Sequence, residues 1–132
     1  MKITTIAIPT AIIAVFIGGI VLLTRKNNDS VNTTPSTSNV SMIDKKQVIT
    51  INAKGGYSPR MTAAKADMPT VIKVMTKGTF DCSAALTIPN LKYRTNLSPS
   101  GVTEVEVPPQ KSGTTLQGLC AMGMYNFSVK FN

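Results

Sequence analysis

At 132 residues the chain has room for one folded domain, and its formal charge of +8, still +6 from residue 41 onward (11 basic, 5 acidic), gives it a basic surface. Such a surface favours anionic lipid or wall polymers over nucleic acid, because the lysines are scattered through strand-like segments and only 5% of residues are aromatic. Histidine is absent, which removes the commonest general base and the commonest metal ligand.

Residues 3–24 carry no charge and are rich in Ile, Val, Ala, Leu and Gly. As a helix they would reach about 33 Å, enough to cross the hydrocarbon core of a bilayer. A cleaved signal peptide is the competing reading, but the run is long for one and the Leu22-Leu23-Thr24-Arg25 segment offers no small-x-small cleavage site. One N-terminal transmembrane helix, ending near residue 26, is therefore expected. Lys2 flanks it on one side and Arg25 and Lys26 on the other, so charge hardly orients it. Residues 27–41 are polar, rich in Asn, Ser and Thr and interrupted by Pro35; they read as a flexible tether to a domain at 42–132.

Strand-like runs follow at 47–53, 70–76, 84–88, 102–107, 114–119 and 125–131, with weaker ones at 60–64 and 93–97. Breaks at Gly55-Gly56, Pro69, Gly78, Pro89-Asn90, Pro108-Pro109 and Ser112-Gly113 punctuate them. Tyr125, Phe127, Val129 and Phe131 alternate with polar residues, and Thr103, Val105 and Val107 oppose Val102, Glu104 and Glu106. Each strand thus has one wet face. Two antiparallel sheets packed as a sandwich are expected, with no helix after the anchor.

The chemistry-bearing residues gather late in the chain. Cys120, Met122 and Met124 stand at alternate positions around Gly123 and run straight into the last strand, which puts three sulfur atoms at one end of a sheet. Thiolate and thioether donors suit Cu(I) better than hard cations, because polarisable donors match a polarisable closed-shell ion. Zinc fits less well, since it takes four N or S ligands and methionine serves it poorly. The one other cysteine is Cys82. Two readings of the pair stay open: a disulfide pinning the two sheets, or a paired thiolate site. Each Met taken alone is also an ordinary core filler. Asp81, next to Cys82, is either an outer group of such a site or a solvated turn residue.

Several motifs together resemble the cupredoxin-like domains found in bacterial envelope proteins and beside copper-exporting ATPases. They are Gly55-Gly56-Tyr57-Ser58-Pro59, Cys82 ahead of an apolar strand ending Ile88-Pro89-Asn90-Leu91, a Val-x-Val strand followed by proline, and Cys120-Ala121-Met122-Gly123-Met124-Tyr125. The likeness covers residues 47–131, and the Cys-x-Met-Gly-Met segment is its most specific part. It implies an antiparallel Greek-key β-sandwich. It also implies copper held by Cys82 as the upstream ligand, Cys120 as the loop thiolate, and Met124 or Met122 as the thioether. Ala121 departs slightly from the pattern; the loss of every histidine departs more, and argues against the redox cycling of electron-transfer cupredoxins.

Catalysis has little to stand on. A cysteine nucleophile lacks a histidine base, and no phosphate loop or paired-carboxylate motif is present. The expectation is a non-enzymatic, membrane-anchored, extracytoplasmic Cu(I)-binding protein that captures, buffers or passes copper to a transport partner, with no nucleic acid involved. A disulfide-stabilised binding or adhesion module without metal is the alternative, and an electron-transfer protein the third.

Overall fold

The computed structural model describes residues 34–132. The expected anchor at 1–26 and the first part of the expected tether lie outside the described residues. Ten strands follow: β1 (Val40–Ile43), β2 (Lys46–Ala53), β3 (Tyr57–Ser58), β4 (Met61–Ala64), β5 (Thr70–Lys77), β6 (Ala85–Ile88), β7 (Tyr93–Asn96), β8 (Ser100–Val107), β9 (Thr115–Cys120) and β10 (Asn126–Phe131). Short 3-10 turns at Cys82–Ala84 and Pro89–Leu91 flank β6, and no α-helix occurs among the described residues.

The strands form two five-stranded sheets. One runs β1-β2-β5-β8 with β3 attached to β2, and the other runs β4-β10-β9-β6-β7. The expectation of purely antiparallel sheets needs correcting, because β2 pairs with β5 in parallel, as β4 does with β10. The chain leaves β2, crosses to the other sheet as β4, and returns as β5, and a crossover of this kind permits parallel neighbours. Alternation marks which face of a strand is wet, and it carries no information on the direction of the neighbour.

The ordered body also begins upstream of residue 42. Ser36 bridges Thr62 of β4, and β1 pairs with β2 through a two-residue turn, Asp44-Lys45, in which both residues have positive φ. That is the turn geometry that matches the twist of a hairpin.

Between the sheets lies one apolar core. Ile49, Ile51, Ile72 and Val74 face Leu86, Ile88, Leu116, Phe127, Val129 and Phe131, and all ten are fully buried. The alternation in β10 and β8 is as the sequence predicts, with Phe127, Val129, Phe131, Val105 and Val107 inside and Val102, Glu104 and Glu106 outside. On the outer face of the first sheet, Lys73 pairs with Glu104 at 3.0 Å and Lys46 with Glu106 at 3.6 Å. Such exposed pairs add little to stability, and here their effect is to neutralise both glutamates locally.

Candidate metal centre

The hairpin β9–β10 sets the position of Cys120. Gly118 and Phe127 are register partners, and the Phe127 ring lies over the glycine Cα where a side chain would otherwise stand. Beyond them the chain closes tightly. Cys120 N–H donates to the Tyr125 carbonyl at 3.0 Å, and Gly123, at φ +70°, donates to the Cys120 carbonyl at 2.8 Å. The Tyr125 amide points at Cys120 Sγ at 3.4 Å. An N–H aimed at a sulfur favours negative charge there.

Cys82 is held from the other side. Asp81 caps the 3-10 turn that begins at Cys82: its carboxylate accepts from Ser83 N at 2.8 Å, from the Ser83 hydroxyl, and from Gly55 N at 2.8 Å. Tyr57, buried and edge-on to Phe127 with ring centroids 5.2 Å apart, donates its hydroxyl to the Ser83 carbonyl at 3.0 Å. Burial, helped by the nearby Asp81 charge, pushes the Tyr57 phenol up to about 12, so it keeps its proton and its hydrogen bond at physiological pH. β6 then runs beside β9 with Leu86 opposite Cys120. Two turns 38 residues apart in the sequence are thereby brought to one place.

Cys82 and Cys120, 38 residues apart, have Cα atoms at 5.7 Å and are joined as a disulfide. The sequence left disulfide and thiolate pair open; the fold places both sulfurs within reach of one another. Cys120 is 2% exposed, whereas Met122 and Met124 are 77% and 66% exposed on the loop that follows it. The thioethers thus stand at the same end as the cysteine pair with their faces to solvent. Among the described residues no three of His, Cys, Asp and Glu gather as a metal site, so any soft-metal centre here rests on the two cysteines and the loop methionines.

Two residues, Tyr57 and Asp81, support the site in ways the sequence leaves open. Tyr57 reads as ordinary packing, and Asp81 reads either way; the structure shows an exposed turn residue that nonetheless fixes the Cys82 backbone. The Asp-x-Ser spacing was the available signal, since a carboxylate readily caps the turn that follows it. These hydrogen bonds hold the Asp81 carboxyl below its ordinary value of 3.8, the Ser83 hydroxyl contributing most and the Gly55 and Ser83 amides next. A lowered carboxylate value means its stabilisation is complete above pH 3.8 and is lost as pH falls through the folded-state value. Asp81→Asn is accordingly expected to flatten the acid limb of the stability curve below about pH 4. Unfolding titrations at a series of acidic pH values check this, and identical limbs in both proteins would contradict it.

No curated protein sequence matches the chain. Among solved structures, the metal-binding domain of the Streptococcus pneumoniae D39 Cu(I)-exporting P-type ATPase CopA, determined with Cu(I), aligns with a TM-score of 0.64 at 18% identity, covering 75% of this chain and 98% of that domain. A copper-binding protein determined in solution in its apo form aligns with a TM-score of 0.65 at 21% identity, covering 74% and 98%. At these identities the likeness speaks for the fold. The family model described as "Cupredoxin-like domain" matches residues 12–131, nearly the whole sequence, and with the sandwich described above this places the chain in the cupredoxin-like domain family.

Proposed function

We propose that the reduced chain binds Cu(I) through the Cys82 and Cys120 thiolates and the Met124 thioether, with Met122 as the second candidate. The observation that carries this reading is the convergence of both cysteines at the start of the loop that bears the exposed Met122 and Met124, with the Tyr125 amide that closes the loop aimed at Cys120 Sγ. Two thiolates and a thioether match Cu(I) by softness and disfavour Cu(II), so carrying or buffering Cu(I) suits the site and electron transfer does not. Both structural neighbours named above are described as copper-binding, which supports the same reading. The protein acts as a carrier rather than an enzyme: anchored by residues 1–26, it holds its domain outside the cytoplasm, captures Cu(I), and yields it to a copper-transport partner.

The disulfide favours a second reading, in which Cys82–Cys120 staples the two turns of a metal-free binding module. One experiment separates them. The full chain, reduced anaerobically, is titrated with Cu(I) against a chromophoric chelator, alongside the oxidised chain. A tight site present after reduction and missing before it is expected, because a disulfide sulfur is a far poorer donor than a thiolate. Failure of the reduced chain to compete would leave the staple as the surviving reading.

A further inference from the structure

Beside the methionine loop lies a cavity of about 400 Å³, lined by Lys54, Gly55, Gly56, Arg60, Met124 and Tyr125 among others. Its volume is within the roughly 300–1,000 Å³ usual for small-ligand sites. The floor is backbone and ring: Gly56, at φ +122°, lies against the Tyr125 side chain, and Gly55, at φ +60°, has no neighbour within 4 Å of where a Cβ would stand. Both lysine and arginine are exposed, and neither forms an ion pair among the described residues. Three of the described carboxylates have partners of their own. Glu104 and Glu106 pair with Lys73 and Lys46. Asp81 accepts from Gly55, which lines the cavity, and from Ser83, and it keeps its negative charge beside the cavity. The result is a concave site with two cations on its rim, one carboxylate beside it and a soft sulfur on its wall.

We propose that this cavity receives a small carboxylate-bearing thiol that carries Cu(I), with its carboxylates held by Lys54 and Arg60 while its copper is handed to Met124 and then to the cysteine pair. The proposal rests on the Cu(I) reading above. Cu(I) travels bound to thiolates, since a soft ion prefers sulfur to water. A carrier that also bears carboxylates presents an anion to the charge this rim displays. The transfer is ligand exchange. The carrier S–Cu bond breaks as Cu–S bonds to Met124 and then to Cys82 and Cys120 form, and copper stays Cu(I) throughout. The protons leaving the two cysteine thiols go to the departing carrier thiolate and to solvent. The same class of thiol can open the disulfide beforehand: two carrier thiols become one carrier disulfide, and Cys82 and Cys120 gain two electrons and two protons.

The test compares the reduced full chain with Lys54→Gln/Arg60→Gln, loading each from Cu(I)–glutathione and from Cu(I)–2-mercaptoethanol, a thiol without carboxylates. The double variant is expected to load about tenfold or more slowly from glutathione at low salt, with the deficit shrinking as salt rises, and to change less than about twofold with mercaptoethanol. Final Cu(I) affinity against the chelator is expected to be the same in both proteins. Equal slowing with both carriers, or with neither, overturns the proposal. A copper-free arm keeps the cavity separate from the copper reading: S-methylglutathione should shift the amide resonances of Gly55, Gly56 and Tyr125 saturably in the wild-type chain and not in the variant. Tight Cu(I) binding without those shifts refutes the cavity alone. The shifts without any Cu(I) binding refute the transfer step through the copper reading itself.

Discussion

Cys120→Ser is expected to weaken Cu(I) binding by the reduced chain more than about a hundredfold while leaving the sandwich folded, and Cys82→Ser to do the same. Loss of a group that merely orients a ligand typically costs 10- to 100-fold in metal affinity, so loss of the donor atom should exceed that. Serine keeps the size and accepts the Tyr125 amide that Cys120 Sγ now accepts, so the loop has no reason to reopen. Each variant must be compared with the reduced wild type. Against the oxidised protein, the missing cross-link would by itself cost roughly 2–4 kcal/mol and would be mistaken for a packing effect. The methionines should separate by a smaller effect: replacement of the true thioether ligand by leucine is expected to weaken binding about tenfold, and replacement of the other to leave it nearly unchanged. Chelator competition gives the affinities and circular dichroism the fold. Unchanged affinity in Cys120→Ser would end the copper proposal.

The local pattern of the sequence carried the strands well. The six firm runs and both weak ones correspond to β2, β5, β6, β8, β9, β10, β4 and β7, with ends shifted by at most two residues. Each of these strands either buries one face or is bounded by Gly and Pro, and both signals are local. The parallel pairing of β2 with β5 was not legible, because a strand's partner is settled by the crossover through β4 and not by its own residues. β1 was missed for a different reason. Ser41, Met42 and Ile43 are exposed, so its residues show no burial pattern; it is held by ladder bonds to β2 and by an Asp44-Lys45 turn that lacks the usual Asn or Gly. At the candidate site, residue type pointed to Cys120, Met122 and Met124 and the family resemblance added Cys82; the contact itself depends on β6 lying beside β9, which no spacing rule contains.

Gly118 offers the sharpest test that this geometry is built into the fold, and its replacement by alanine should be among the most destabilising single changes available. A Cβ at Gly118 would lie 2.1 Å from one Phe127 ring carbon and 2.3 Å from another, far inside contact distance. The ring cannot simply rotate aside, because Phe127 is fully buried and its edge contact with Tyr57 fixes it from the far side. Overpacking of this kind typically costs 1–3 kcal/mol, and the absence of any slack here puts Gly118→Ala at about 3 kcal/mol, a fall in melting temperature of roughly 12–24 °C for a domain of this size. The strain would not stay local. Moving Phe127 displaces Tyr57, whose hydroxyl holds the Ser83 carbonyl next to Cys82, while Gly118 itself lies two residues from Cys120 on the same strand. Both cysteine turns therefore depend on one glycine. The variant is expected to lose stability and, in the reduced state, to bind Cu(I) more weakly, and a compensating Phe127→Leu should restore part of both by vacating the space above residue 118. Thermal unfolding of the single and double variants measures the first effect and chelator competition the second. A melting temperature within a few degrees of wild type for Gly118→Ala would show that the ring has room to move and that the two turns are not coupled through it.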